Sequence, residues 1–269
     1  MRSIRFHDDW GLEKVHAGAS GADFKLRNDT TVHLRKADDP SLPAFEVKWL
    51  PHLSHSTVRE VIWGVDTPAT LEAIGTEMAR DREVRRDADG TLHIIDDGGL
   101  PVGFAVTRRK ELSLEPPPIN TVGTYGRLNR QASAASKRDV GPYRIGHIVF
   151  LIRNDANKDK ARAFYQQRLG FKSTDHSARV GDFMRVGGDG VDHHSFLLMW
   201  VRQQPVKFDH VAFEVAGFDD VLAAHLDPTT FSSAHTTVLE LMAPEIDPYS
   251  QSLMIFMDPP RHKIGRAHV

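Results

Sequence analysis

No cysteine occurs in the 269 residues, which excludes a disulfide framework, a thiolate metal site and a cysteine nucleophile. That absence fits the cytoplasm, and it leaves the 15 His residues to carry any soft-ligand metal chemistry. Long apolar runs are missing as well. Ser195-Phe-Leu-Leu-Met-Trp-Val201 is among the longest, bounded by His194 and Arg202, and falls far short of the roughly 20 residues that span a bilayer. The N-terminus, Met1 to Trp10, has no apolar stretch of the kind a secretion signal needs. Neither sign of charge is in excess: 34 basic residues against 36 acidic ones leave a formal charge of −2, which argues against a nucleic-acid surface or a polybasic membrane anchor. Gly-x-Gly-x-x-Gly, the P-loop, His-Glu-x-x-His and Gly-x-Ser-x-Gly are all absent, so nucleotide binding, zinc proteolysis and serine hydrolysis have no support. The short basic runs Arg85-Arg86 and Arg108-Arg-Lys110 read as solvated surface.

What is present is ordinary globular composition, 40% hydrophobic and 26% charged, at a length of one large domain or two modules of about 150 residues or fewer. Composition breaks between Ser113 and Tyr143, around Glu115-Pro-Pro-Pro118 and the polar stretch Arg130 to Lys137, where neither helical nor strand periodicity persists. The expected organisation is therefore a first module over 1–112, a linker over 113–143 and a second module over 144–269. The two modules repeat the same order of elements. In the second, a β-rich run Ile145–Leu151 precedes a helix Asp159–Arg168 closed by Gly170, the strands Phe183–Val186 and His194–Trp200, the alternating strand Phe208–Val215, a short helix Asp219–His225 and a last strand Ser252–Met257. In the first, Phe6–Leu12 matches the helix end, and Phe24–Arg27, Arg59–Val65, the helix Pro68–Met78 and Thr91–Asp96 follow in order. The expected fold class is α+β, built as two tandem modules of βαβββ units whose curved sheets close around a pocket.

The chemistry-bearing residues lie in the second module. His147 and His210 occupy matching places on separate strands, 210 − 147 = 63 residues apart. Alternation along the strand puts His210, Ala212 and Glu214 on one face, so this His shares a face with a carboxylate. Two neutral imidazoles and one carboxylate on one side of a divalent ion leave positions open for substrate and O2, the arrangement of non-haem Fe(II) oxygenases. Two satisfied core histidines are the competing reading. His193 and His194 follow a glycine turn at the start of an apolar strand, on opposite faces, so one of them can enter the pocket as a proton shuttle. A polar turn that merely exposes both rings is the alternative.

Ile145-Gly-His147, Ala163-Phe-Tyr165 followed by Leu169-Gly-Phe171, Phe183-Met-Arg185, His193-His-Ser195 and His210-Val-Ala-Phe-Glu-Val215 stand in the order and spacing of a known family. The chain resembles the type I extradiol ring-cleavage dioxygenases of the vicinal oxygen chelate superfamily. The resemblance is strongest over residues 143–226, and the segment Asn120 to Arg130 is similar too. It implies a second module that binds Fe(II) through His147 and His210 and a first module that has lost its ligands, with Glu60 where His210 would stand. It further implies that His193, with His194 beside it, handles the substrate proton and that Phe183 lines an aromatic pocket. The implied reaction opens a catecholic ring beside its diol with O2, and the resemblance leaves room for a homo-oligomer.

The departures are at the C-terminus. The family's third ligand, a Glu about seven residues after the Asp of an Asp-Pro turn, is Gly265 in Asp258-Pro-Pro-Arg-His-Lys-Ile-Gly265. The family's Tyr is Ile255, its Gly-Arg-His segment is Pro244-Glu-Ile246, and Val149 stands at a position often polar in relatives. Ile264-Gly-Arg-Ala-His-Val269 reads as one frame of a common sequencing-adapter oligonucleotide, which leads to the expectation of a truncated gene whose native continuation places Glu at 265. The alternative sources of a carboxylate are Glu214, Glu240 and Glu245. Two other functions compete with the dioxygenase: a glyoxalase-like isomerase taking a ligand from Glu60, and a non-catalytic small-molecule binding protein of bleomycin-resistance type.

Overall fold

A computed structural model describes residues 2–43, 58–108, 110–113, 120–126, 141–153, 155, 157–187, 192–201 and 207–215, together with the backbone of 251–257. Helix α1 (Arg2–Asp9) is followed by strands β1 (Glu13–Gly18), β2 (Gly21–Lys25) and β3 (Thr31–Lys36). Strand β4 (Val58–Val65) leads helix α2 (Pro68–Met78) and strands β5 (Arg85–Arg86), β6 (Leu92–Ile95) and β7 (Pro101–Val106). A short hairpin, β8 (Asn120–Thr121) and β9 (Thr124–Tyr125), lies within the expected linker. Strand β10 (Arg144–Arg153) leads helix α3 (Asn157–Ala163), a π-helical turn Phe164–Arg168, and strands β11 (Lys172–Ser177), β12 (Gly181–Arg185) and β13 (Phe196–Val201). Strands β14 (Lys207–Glu214) and β15 (Gln251–Met257) complete the described elements. The fold is α+β with curved sheets. The expected helix Asp219–His225 lies outside the described residues.

Helix α2 starts where the sequence says it should. Thr67 caps it, its hydroxyl accepting from the Thr70 amide at 3.1 Å, and Pro68 at the first helical position gives up no needed donor. Its buried face is Leu71, Ile74, Gly75 and Met78, the i, i+3, i+4, i+7 stripe of a helix lying on a sheet. The sheet under it runs β1-β2-β3-β15-β4-β7-β6-β5. All eight residues of β4 are buried, as expected of a central strand covered on both faces. The second sheet runs β11-β12-β13-β10-β14.

The repeat is visible in the pairing. β4 lies parallel to β7 and β10 lies parallel to β13, so a leading strand returns beside the last strand of its own unit. Gly21 and Gly181 stand at the same hairpin corner of two units. A Cβ at either would sit 2.0 Å from a carbonyl oxygen, that of Leu34 or of Leu198, so only glycine admits the approach of β2 to β3 and of β12 to β13.

The last expected strand pairs outside the second sheet. Residues 252–257 do form a strand, but β15 inserts into the first sheet, antiparallel to β3 and parallel to β4, rather than beside β14. It fills the place that a leading strand of the α1 unit would hold, but lies antiparallel to β3, whereas β4 and β10 lie parallel to the last strands of their own units.

One apolar core runs through both halves. Trp63 of β4, 2% exposed, meets Phe171 and Phe196 edge-on at 5.1 and 5.5 Å between ring centres. Trp10 packs against Phe213 of β14 at 4.7 Å. At the rim, Arg168 binds Glu77 at 3.0 Å and Asp81 at 2.7 Å, tying the π-helical turn to the end of α2.

Candidate metal centre

His147 stands on β10 and His210 on β14, antiparallel neighbours in the second sheet. The ladder between them is irregular at both histidines. On β10 Gly146 is an extra residue between the pairs Ile145–Phe213 and His147–Ala212; on β14 Asp209 is extra between Val149–His210 and Phe150–Phe208. Bulges of this kind bend a strand and re-aim its side chains, and they recur beside active sites. The two rings are turned toward each other, with His147 Nε2 and His210 Nε2 3.3 Å apart.

The surrounding groups are aromatic and imidazole. The His194 ring lies 4.6 Å from that of His147 and 5.1 Å from Phe183. His193 lies 6.1 Å from Phe183 and 5.3 Å from His194, with its Nδ1 3.1 Å from His194 Nδ1, and is more exposed. Of the pair, His194 is therefore the ring that borders His147. His147, His210, His193, His194 and Phe183 are thus gathered at one place on the second sheet.

Electrostatics favour the uncharged form of His147 and of His194. Burial, followed by the neighbouring His194 and His210, pushes His147 down to about 4. Burial and then His193 also lower His194. A neutral imidazole presents a lone pair, which is what a metal ion or an incoming proton requires. Two imidazole nitrogens bound to one ion at about 2.1 Å each lie no more than about 4.2 Å apart. The observed separation of 3.3 Å fits that span, so the donor set suits a divalent cation as far as two ligands go.

The carboxylate is another matter. Glu214 shares the His210 face of β14, as alternation requires, but stands four residues away, about 13 Å along the strand. Both its oxygens are taken: Oε2 accepts from Tyr143 Oη at 2.6 Å and Arg144 Nε at 2.8 Å, and Oε1 lies 2.7 Å from a terminal nitrogen of Arg144. Glu214 is therefore an ion-pair partner of Arg144 and not a third ligand. Among the described residues no group of three His, Asp or Glu side chains is placed to hold a metal. Glu240, Glu245 and Gly265 lie outside the described residues.

Two features of the site were not anticipated from the sequence. Arg144 also binds Asp192 at 2.6 Å, so one guanidinium holds both the end of β14 and the loop that carries His193 and His194. Asp209 lies 2.8 Å from His210 Nδ1. Arg144 itself carried the first signal, since a charged residue at the start of a β-rich, apolar run needs a partner. Nothing in the sequence carried the second.

In the first module Glu60 is committed elsewhere. It is 1% exposed, its Oε1 accepts from His93 Nδ1 at 2.8 Å, and its Oε2 is buried without a partner among the described residues. His93 Nε2 reaches Asp87 at 3.0 Å.

Residues 144–264 match the family model described as the Glyoxalase/Bleomycin resistance protein/Dioxygenase superfamily. This segment is a domain of that superfamily. Solved structures resemble the whole chain. BphC, a halotolerant catechol dioxygenase, is 14% identical, with 97% of this chain and 90% of that chain covered and a TM-score of 0.50. A mutant of homoprotocatechuate 2,3-dioxygenase from Brevibacterium fuscum is 12% identical, with 96% of this chain and 68% of that chain covered and a TM-score of 0.51. At such identities the likeness shows the fold alone, over both halves of the chain. No curated protein matches the chain. Among the described residues no helix is long and apolar enough to cross a membrane.

Proposed function

We propose that the superfamily domain binds Fe(II) through His147 and His210 and that the chain is an extradiol dioxygenase acting on a catecholic substrate with O2. The observation that carries this reading is the convergence of His147 Nε2 and His210 Nε2 to 3.3 Å, on two strands each bulged at the histidine. Iron bound there would hold diol and O2 side by side and pass electron density between them.

The chain's own residues supply the rest. Phe183 offers a ring face at the mouth of the site, against which an aromatic substrate stacks. His194 borders the two nitrogens, and with its Nδ1 turned to His193, its Nε2 is the atom that takes the proton from a substrate hydroxyl. His193, more exposed, passes that proton toward solvent. Arg144 holds the loop bearing both rings in place through Asp192. The same proposal assigns residues 1–112 to a module without metal ligands, residues 113–143 to a linker, and the protein to the cytoplasm, where the lack of cysteine fits.

An anaerobic Fe(II) titration of the chain alongside His147→Ala and Gly265→Glu, followed by air and a catechol, tests the reading. Stoichiometric binding lost in His147→Ala, with coloured ring-opened product from the chain or from Gly265→Glu, is the expected result. Iron binding unaffected by His147→Ala, or absent from every variant, would remove the metal site.

A second reading has its own observation. Two imidazoles with no acidic third donor among the described residues hold Fe(II) weakly, which suits a pocket that binds a small aromatic molecule without turnover. Equal affinity for a catechol with and without iron, and no product, would favour it.

A further inference from the structure

We propose that Asp209 is a positioning residue: it fixes His210 as the tautomer with hydrogen on Nδ1 and turns the Nε2 lone pair toward His147. The role in metal binding rests on the two-imidazole reading above, whereas the tautomer does not depend on it.

Consecutive residues of a regular strand point to opposite faces, so an Asp directly before a His should not reach its ring. Here it does. The bulge on β14 inserts Asp209 between two paired positions, Val149–His210 and Phe150–Phe208, and the extra residue brings the carboxylate onto the same side as the imidazole. Asp209 Oδ2 lies 2.8 Å from His210 Nδ1. An ionised carboxylate only accepts, so the proton in that bond sits on Nδ1, and Nε2 is left with its lone pair. That nitrogen is the one 3.3 Å from His147 Nε2. Both partners are partly shielded, with side-chain exposures of 22% and 29%, so the bond is not a fully solvated one. A carboxylate behind a ligating imidazole fixes ring orientation and raises ligand basicity, and losing such a partner typically costs about 10–100-fold in metal affinity.

The test pairs two measurements on the full chain. Nitrogen–proton correlation spectra of the histidine rings in the metal-free protein, with His210 assigned by its loss in His210→Gln, read the tautomer. Co(II) titrations read the affinity. The wild type should show hydrogen on His210 Nδ1. Asp209→Ala should shift the ring toward the other tautomer and weaken Co(II) binding about 10–100-fold. Asp209→Asn, which keeps an acceptor oxygen in the same place, should retain the tautomer and lose less affinity. His147→Ala should abolish Co(II) binding while leaving the His210 tautomer as it is. Hydrogen on Nε2 in the wild type, or Asp209→Ala leaving tautomer and affinity unchanged, would overturn the proposal. Co(II) binding that survives His147→Ala would instead overturn the two-imidazole reading, and the metal-free spectra would still decide what Asp209 does.

Discussion

The Tyr165 hydroxyl donates to Asp96 Oδ2 at 2.6 Å, joining the π-helical turn of the second half to the β6–β7 corner of the first. Both residues are buried, Tyr165 completely. The other Asp96 oxygen accepts from the Gly98 and Leu100 amides at 2.8 Å each. Burial raises the Asp96 carboxyl to about 6, against the opposing pull of these three donors.

A carboxyl raised on folding binds protons more tightly in the folded state, so stability falls as pH rises from the ordinary value near 3.8 through about 6. Urea midpoints measured across that window should decline for the wild type and stay flatter for Asp96→Asn. Tyr165→Phe should cost about 1–3 kcal/mol, because Oδ2 is then left in the core without its donor.

Trp63 gives a second contrast. Its ring anchors the contact with Phe171 and Phe196, yet its Nε1 is buried with no partner among the described residues. Trp63→Ala should cost about 3–5 kcal/mol by cavity formation. Trp63→Phe should cost far less, since it removes the unpaired donor along with part of the ring. Denaturant unfolding of both variants measures the difference.

Gly21→Ala and Gly181→Ala should each destabilise by about 1–3 kcal/mol or more, as the added methyl meets a carbonyl oxygen at 2.0 Å. Only the second should also alter the candidate site, because it sits two residues before Phe183 at the start of β12. Thermal melts of both variants and catechol binding by each separate the two effects.

The buried pair Glu60–His93 predicts a trend of the same sign in a higher pH window. Burial works to lower the His93 ring, but the hydrogen bond and charge of Glu60 outweigh it, and the net shift is upward. Such a histidine stabilises the fold fully below its ordinary value near 6.5, and the contribution is lost as pH rises through the raised value. Arg85 opposes the shift and Asp87 reinforces it. Ring proton spectra should show His93 titrating at lower pH in Glu60→Gln than in the wild type.

Much of this was legible in the sequence, for identifiable reasons. The limits of α2 follow from Thr67, Pro68 and the apolar stripe, and the Gly170 cap from its place after Leu169, where φ is 74°. His147 and His210 could be paired because each stands in a β-rich run, the first largely apolar and the second alternating, that marks a strand. Strands β1 and β11 were not anticipated: the first is exposed along its whole length and the second almost so, and an edge with no buried face shows no alternation. The bulges at Gly146 and Asp209 were illegible because a period of two has no way to register one extra residue. Counting from Asp209 under strict alternation sends its carboxylate away from His210, so the contact could not be foreseen. Glu214 failed as a ligand for a related reason, since a shared face says nothing about distance along it.

The position of β15 sets the order in which this protein can be completed as it leaves the ribosome. Leu253 pairs with Leu34, a separation of 253 − 34 = 219 residues. Until that stretch has been synthesised, β3 and β4 have no strand between them, and their unpaired edges face whatever else is in the cell. The pairing is also among the most non-local in the fold, a kind of contact that forms late. The nascent first half therefore carries two open strand edges until residues 251–257 reach them.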